Sequence, residues 1–393
     1  MKGEARLPDP GPDAAAFSAR LSMRIKAEID AANGFLPFDR YMELALYAPG
    51  LGYYVGGAAK FGAAGDFVTA PELSPLFGAC LAEQCAAALA AGGRGVIEFG
   101  GGSGKLAASV LTALAAHGYR EVPYAIVELS PELRERQRAW LQQSAPELST
   151  RVEWWQGPPP QPWTGTVLAN EILDALPVSC LEWRAGQWHE MGVCHHVEAG
   201  GLRLTSRPAP HDLANLMNIR LADYAHDLAE GYRTEVNLRQ AAFLADLSRF
   251  LAEGTAVLAD YGYPRSEYYH PDRSSGTLQC HYRHLVHDDP LWAPGLQDIT
   301  ASVDFTAVAE EAEAAGWEVA GFTEQAQYLM ACDITQKLQQ HLSADDGSAR
   351  ELQAVKRLLL PQEMGTRVKL MTLARNYGGS ITGYSLRDAR HRL

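Results

Sequence analysis

The stretch Gly95-Val-Ile-Glu98-Phe-Gly100-Gly-Gly102-Ser-Gly104-Lys105 decides how the chain folds. An apolar run of Val96, Ile97 and Phe99 leads into closely spaced glycines. Leu106-Ala-Ala-Ser-Val110-Leu111-Thr-Ala-Leu114 then follows with helical spacing. A strand, a tight turn and a helix in that order open a nucleotide-type βαβ unit. Glycine is needed in the turn because a side chain would hold the backbone off a ligand and strain a left-handed conformation. Further on, Tyr124-Ala-Ile-Val127-Glu128 is a second apolar strand ending in an acid, placed where it could grip the two hydroxyls of a ribose.

The spacing Glu98-x-Gly100-x-Gly102-x-Gly104 bears on the ligand. A dinucleotide fingerprint reads Gly-x-Gly-x-x-Gly and offers a helix start to a pyrophosphate. A Walker loop needs Gly-x-x-x-x-Gly-Lys-Ser/Thr, but Phe99 stands at the first Gly and Leu106 at the Ser or Thr. An acid-first glycine loop suits a cationic ligand better than a phosphate. S-adenosylmethionine carries an ammonium and a sulfonium, and Glu98 could attract the ammonium. A generic nucleotide turn holding NAD is the competing reading of these residues.

A chain of 393 residues exceeds one average domain. Its 47% apolar and 21% charged residues are ordinary for a soluble globular protein. The net charge of -13 argues against nucleic acid as a partner, because phosphate binding needs a basic face. It suits a basic protein as substrate, although solubility explains it equally well. The six cysteines contain no Cys-x-x-Cys and read as reduced thiols. No run approaches a membrane span and the start lacks a signal h-region. Together these give the expectation of a cytoplasmic protein.

Residues 1 to about 16 read as a flexible leader, and 17–80 as a helical and loop segment covering the cofactor site. Within it, a helix is expected over Ala19 to Ala32, and Gly65-Asp66-Phe67-Val-Thr69-Ala70-Pro71-Glu72-Leu-Ser74 reads as a Gly-Asp loop opening a helix. Residues 81–178 form the first part of an α/β core. Ser130-Pro131 starts its next helix, and the strand Thr166 to Ala169 ends in Asn170, Glu171 and Asp174. Ligands of open parallel sheets sit beyond the carboxyl ends of strands, so these side chains face the crevice of the glycine loop. Two acids there could orient a guanidinium or amine. Alternatively, Asn170 caps a helix whose N-terminus the acids favour. Residues 179–254 read as an inserted hairpin-plus-helix subdomain that shapes a substrate site. Residues 255–380 resume the core with Thr255-Ala-Val257-Leu258-Ala259-Asp260-Tyr261-Gly262, and Trp317 to Val319 and Arg367 to Leu373 read as closing strands. Cys280, His281, His284 and His287 lack a ligand set recognisable by spacing, so no metal is expected.

Six motifs occur in order: Gly65-Asp66-Phe67-x-Thr69-Ala70-Pro71-Glu72-x-Ser74, Glu98-x-Gly100-x-Gly102-x-Gly104, Glu128-x-Ser130-Pro131, Asn170-Glu171-x-x-Asp174-Ala175-x-Pro177, Asp260-Tyr261-Gly262 and Asp298-Ile299-Thr300. Together they resemble the MidA family of S-adenosylmethionine-dependent methyltransferases, from about Phe35 to Arg375. The mitochondrial members of that family are complex I assembly factors that dimethylate an arginine. The resemblance implies an α/β, Rossmann-like, seven-stranded methyltransferase sheet with S-adenosylmethionine as cofactor. It assigns the methionine part to Glu98, Gly100, Gly102 and Gly104, and the ribose to Glu128. Gly65, Asp66 and Phe67 would close over the cofactor, and Asn170, Glu171 and Asp174 would line the methyl-transfer site. Ser302 and Gln279 depart from the family pattern and bear on substrate identity. The expected activity is methyl transfer to an arginine of a partner protein. A small-molecule methyltransferase and a non-catalytic assembly factor are the alternatives.

Overall fold

In a computed structural model, residues 7–56, 68–159, 162–196, 200–223, 228–342 and 348–393 are described. The chain divides into two units, one of residues 1–67, 175–239 and 266–302, the other of 68–174, 240–265 and 303–393.

The second unit is built on the strand that the opening glycine stretch announces. Its main strands are β1 (Gly95–Phe99), β2 (Tyr124–Val127), β3 (Val152–Trp155), β4 (Trp163–Asn170), β5 (Leu251–Tyr263), β6 (Glu318–Glu324) and β7 (Val368–Arg375). They lie in the order β3-β2-β1-β4-β5-β7-β6, with Val303–Asp304 pairing additionally along β5. The strands from β3 to β5 are parallel, whereas β7 runs antiparallel to both β5 and β6. Val96, Ile97, Val167, Leu168, Val257 and Leu258 are buried on both faces of the sheet, the mark of a parallel sheet covered by helices. This is the expected seven-strand arrangement with its antiparallel edge.

At the amino ends of the central strands, Gly95, Gly165 and Gly254 stand in register. A Cβ on Gly165 would lie 2.1 Å from the carbonyl oxygen of Gly95, and one on Gly254 would lie 1.9 Å from that of Gly165. The three backbones therefore meet there as closely as glycine alone allows.

The first unit joins residues far apart in sequence. The strand Gln187–His196 pairs with Ser179–Arg184, with Gly201–Pro208 and with Leu36–Pro37, while Arg233–Val236 pairs with Ser179–Arg184. The hairpins expected between 178 and 204 are thus present. Their apolar side chains share one core with the first helix: Val178, Cys180, Met191 and Val193 pack with Leu21, Ile25, Ile29, Tyr41 and Ile299. That helix runs Pro12–Ala31, earlier than expected, because Pro12 can occupy its first turn without losing a hydrogen bond. The stretch expected as an insertion, 179–254, is divided between the units at 239/240. The helix Gln240–Phe250 leads straight into β5, and Leu244 accepts a bond from the Trp317 indole at 3.2 Å within the second unit. Among the described residues no helix is long and apolar enough to cross a membrane.

Candidate active site

All the described candidate residues lie in the second unit, at the carboxyl ends of β1, β2, β4 and β5. Beyond β1, Gly100, Gly102 and Gly104 take φ of +65°, +51° and +87°, and Gly104 leads into the helix Lys105–Ala116. A Cβ on Gly100 would stand 2.4 Å from Ile172, and one on Gly101 would stand 2.6 Å from Ile126. A Cβ on Gly102 would meet nothing within 4 Å, so the loop is packed tightly beneath and open at Gly102. Glu72 braces it: the Ser103 hydroxyl donates to one oxygen of its carboxylate, and Lys105 Nζ donates to the other at 2.6 Å. The sequence places Glu72 in a motif without showing this task.

Glu98, on β1 beneath the loop, is 2% exposed. Burial pushes its carboxyl up to about 7, a bond from Tyr124 opposes the shift, and the charge of Glu128 adds to it. Among the described residues only the Tyr124 hydroxyl donates to it, at 2.6 Å. An ammonium supplied by a ligand is the counter-charge such an acid lacks. Glu128, at the end of β2, is likewise pushed up by burial, opposed by bonds from Ser130 and Gln137. Its Oε1 accepts from the Ser130 backbone N–H at 2.9 Å, and its Oε2 accepts from Gln137 Nε2 at 3.1 Å.

Beyond β4 the chain turns at once. Glu171, with φ of +53°, sits in the left-handed region that glycine ordinarily occupies. No helix starts there, so the reading of Asn170 as a helix cap is set aside. The N–H groups of Ile172, Leu173 and Asp174 instead donate to Asp260 Oδ2, at 3.1, 2.8 and 3.3 Å. Asp260 Oδ1 accepts from Tyr261 N–H at 2.9 Å, and Glu171 N–H donates to the Ala259 carbonyl at 2.8 Å. Burial pushes the Asp260 carboxyl up to about 7 against these four bonds. The Tyr261 phenol is held far above its ordinary value by burial and by the charges of Glu171, Asp174 and Asp260. Those acids and Tyr261 therefore form one cluster, with Asn170 Nδ2 3.4 Å from Glu171 Oε1. Asp260 and Tyr261 were visible only as part of a motif. Gly65, Asp66 and Phe67 lie outside the described residues. Among the described residues no group of three or more His, Cys, Asp or Glu is placed to hold a metal ion.

A left-handed glycine loop with one open face, a buried acid short of a counter-charge and a second acid with aligned oxygens fit S-adenosylmethionine. Sheet order and site together define a Rossmann-like α/β protein of the methyltransferase type. Residues 80–323 match the family described as "Putative S-adenosyl-L-methionine-dependent methyltransferase", and the chain belongs to that family, in agreement with the MidA resemblance. A crystal structure from Burkholderia thailandensis bound to S-adenosylhomocysteine is 46% identical, with a TM-score of 0.93, over 98% of this chain and 100% of that one. Curated relatives include the mitochondrial protein arginine methyltransferase NDUFAF7 of Danio rerio, 28% identical over 87% of this chain and 84% of its own length. The Drosophila melanogaster homologue is 28% identical over 95% and 89%. The protein is an S-adenosylmethionine-dependent methyltransferase. The cytoplasmic expectation is corrected by these relatives, which are mitochondrial. Scattered thiols and the lack of an apolar span describe a mitochondrial enzyme as well as a cytoplasmic one, so composition did not carry that inference.

Proposed function

We propose that the enzyme methylates an arginine side chain of a partner protein. The observation that carries this reading is the acid cluster of Glu171 and Asp174, in a turn whose Ile172 packs at the glycine loop. The names of the curated relatives support it. When bound, S-adenosylmethionine supplies an activated methyl group, so the protein's part is alignment and exclusion of water. Glu98 pairs with the ammonium, Gly100, Gly102 and Gly104 admit the methionine backbone, and Glu128 accepts from the ribose hydroxyls. The family motif also assigns Gly65, Asp66 and Phe67 to cofactor binding. Asn170 orients Glu171, and Glu171 and Asp174 hold the guanidinium through paired charge-assisted bonds. They direct one nitrogen at the methyl and accept the proton it sheds. A subunit of respiratory complex I is the first acceptor to try, given the MidA resemblance.

The test is incubation of the protein with methyl-labelled cofactor in a lysate, followed by hydrolysis of the labelled protein. Label recovered as methylarginine supports the reading, and label confined to small molecules or other residues overturns it. Replacing Glu171 with Gln should slow transfer by about 10²-fold or more while leaving S-adenosylhomocysteine affinity within about threefold. Equal losses of both would remove Glu171 from the acceptor site.

A further inference from the structure

The two parts of the cofactor site, the glycine loop after β1 and the acid after β2, are joined through one side chain that no motif marks. Gln137 lies on the helix Pro131–Ser144, capped by the Ser130 hydroxyl, and is fully buried. Its Oε1 accepts from the Trp154 indole N–H at 2.9 Å. An indole nitrogen only donates, so this bond fixes which end of the amide is oxygen. The NH2 end is thereby aimed the other way, and its two hydrogens divide between the sites. One goes to the Gly102 carbonyl at 3.1 Å, the other to Glu128 Oε2 at 3.1 Å. The backbone presses on the same residue. A Cβ on Gly101 would lie 3.1 Å from Gln137 Nε2, and one on Gly104 would lie 3.2 Å from Gln137 Cα.

We propose that Gln137 is a positioning residue for the cofactor, locking the ribose-binding carboxylate and the methionine-binding loop into one geometry. The proposal rests on reading Glu128 and the glycine loop as the cofactor site. Three consequences follow from the bonding. With Ser130 N–H on one oxygen and Gln137 on the other, the plane of the Glu128 carboxylate is fixed and its outer lone pairs face one way. The charge-assisted bond helps to keep a buried acid ionised, which it must be to accept from two hydroxyls. The bond to Gly102 holds the carbonyl of the one loop residue whose Cα face is open. A buried glutamine with every polar atom engaged also cannot change rotamer without leaving several partners unsatisfied, so the lock is rigid.

The experiment is calorimetric titration with S-adenosylhomocysteine of the full chain and of Q137M, E128Q and the double variant, with melting temperatures alongside. Methionine keeps the length of the side chain and removes its hydrogen bonds. Q137M should weaken binding by about tenfold or more, the worth of a hydrogen bond to a charged group. Because Gln137 acts partly through Glu128, the double variant should bind more tightly than the product of the single losses predicts, a coupling that unspecific loosening would not give. Q137M binding within twofold of the unmodified protein while E128Q is weakened overturns the proposal, as does strict additivity. If E128Q binds as well as the unmodified protein, the site reading fails first and the proposal falls with it. Should Q137M not fold, Q137E serves in its place. It retains the acceptor for Trp154 but turns an acid toward Glu128, and must lose affinity by at least as much.

Discussion

Two loops leave neighbouring parallel strands, and both place backbone in the left-handed region by different means. After β1 the residues with positive φ are Gly100, Gly102 and Gly104, for which the conformation is nearly free. After β4 the residue with positive φ is Glu171, which takes it at a cost of the order of 1 kcal/mol. What holds the second loop is the remote carboxylate of Asp260, gathering three successive N–H groups from the turn. The first loop is shaped by residue type and only braced from outside, by Glu72 and Gln137. The second is shaped from outside altogether. A chain can thus make a backbone approach with glycine, or place a carboxylate side chain where glycine would suit the backbone better and hold the turn with a buried acid.

The largest effect expected from this contrast is at Asp260. Asp260→Ala leaves three N–H groups of the turn, two of them buried, without an acceptor and frees Glu171 and Asp174 to move. Transfer of label from the methyl-labelled cofactor into protein should fall on the order of 10²-fold, while S-adenosylhomocysteine affinity changes by no more than about twofold. Parallel losses would show that the two loops are one unit. Next is a pH effect on the first loop alone. Glu98 is held at about 7, against an ordinary glutamate value of 4.5, by burial, with Tyr124 and Glu128 facing it. Its carboxyl is therefore protonated more readily in the folded chain than in the unfolded one. Without cofactor, its contribution to stability is fully present below about 4.5 and is lost as pH rises through about 7. A cationic amine prefers the ionised form, so affinity for S-adenosylhomocysteine should strengthen by about tenfold between pH 6 and 8. Calorimetry that finds no such rise, or finds it undiminished in Glu98→Gln, removes Glu98 as the amine's partner. The smallest effect is on stability, at the strained position. Glu171→Gly should raise stability in chemical unfolding by about 0.5–1 kcal/mol while abolishing methyl transfer. A loss of stability there would mean that the acid does more for the fold than for the chemistry.

The same contrast explains what could be read from the residues alone. The glycine loop, Glu98 and Glu128 lie within or directly after apolar runs, so their order in the sequence is their order in space. β4 and β5 were legible for the same reason, as were the hairpins after Val178. Asp260 is 86 to 88 residues from the three N–H groups of the turn it holds, and a carboxylate near the end of a strand looks the same whether it meets a ligand or a turn. Gln137 sits in Pro131-Glu-Leu-Arg-Glu-Arg-Gln-Arg, where one more polar residue on a polar helix carries no signal. The charge of Glu171 at the end of an apolar strand is what marks it in the sequence. Its backbone strain was invisible because only glycine and asparagine advertise positive φ in a sequence. The make-up of the first unit was hidden for a related reason: its core is assembled from three separated segments, each only partly apolar by itself.

That assembly bears on how such an enzyme can change over time. The chain passes between the units at 67/68, 174/175, 239/240, 265/266 and 302/303, so neither unit corresponds to one continuous length of gene. Recombination cannot exchange the first unit as a cassette, and truncation cannot deliver either unit alone. Either unit must change by substitution in place, with both inherited together.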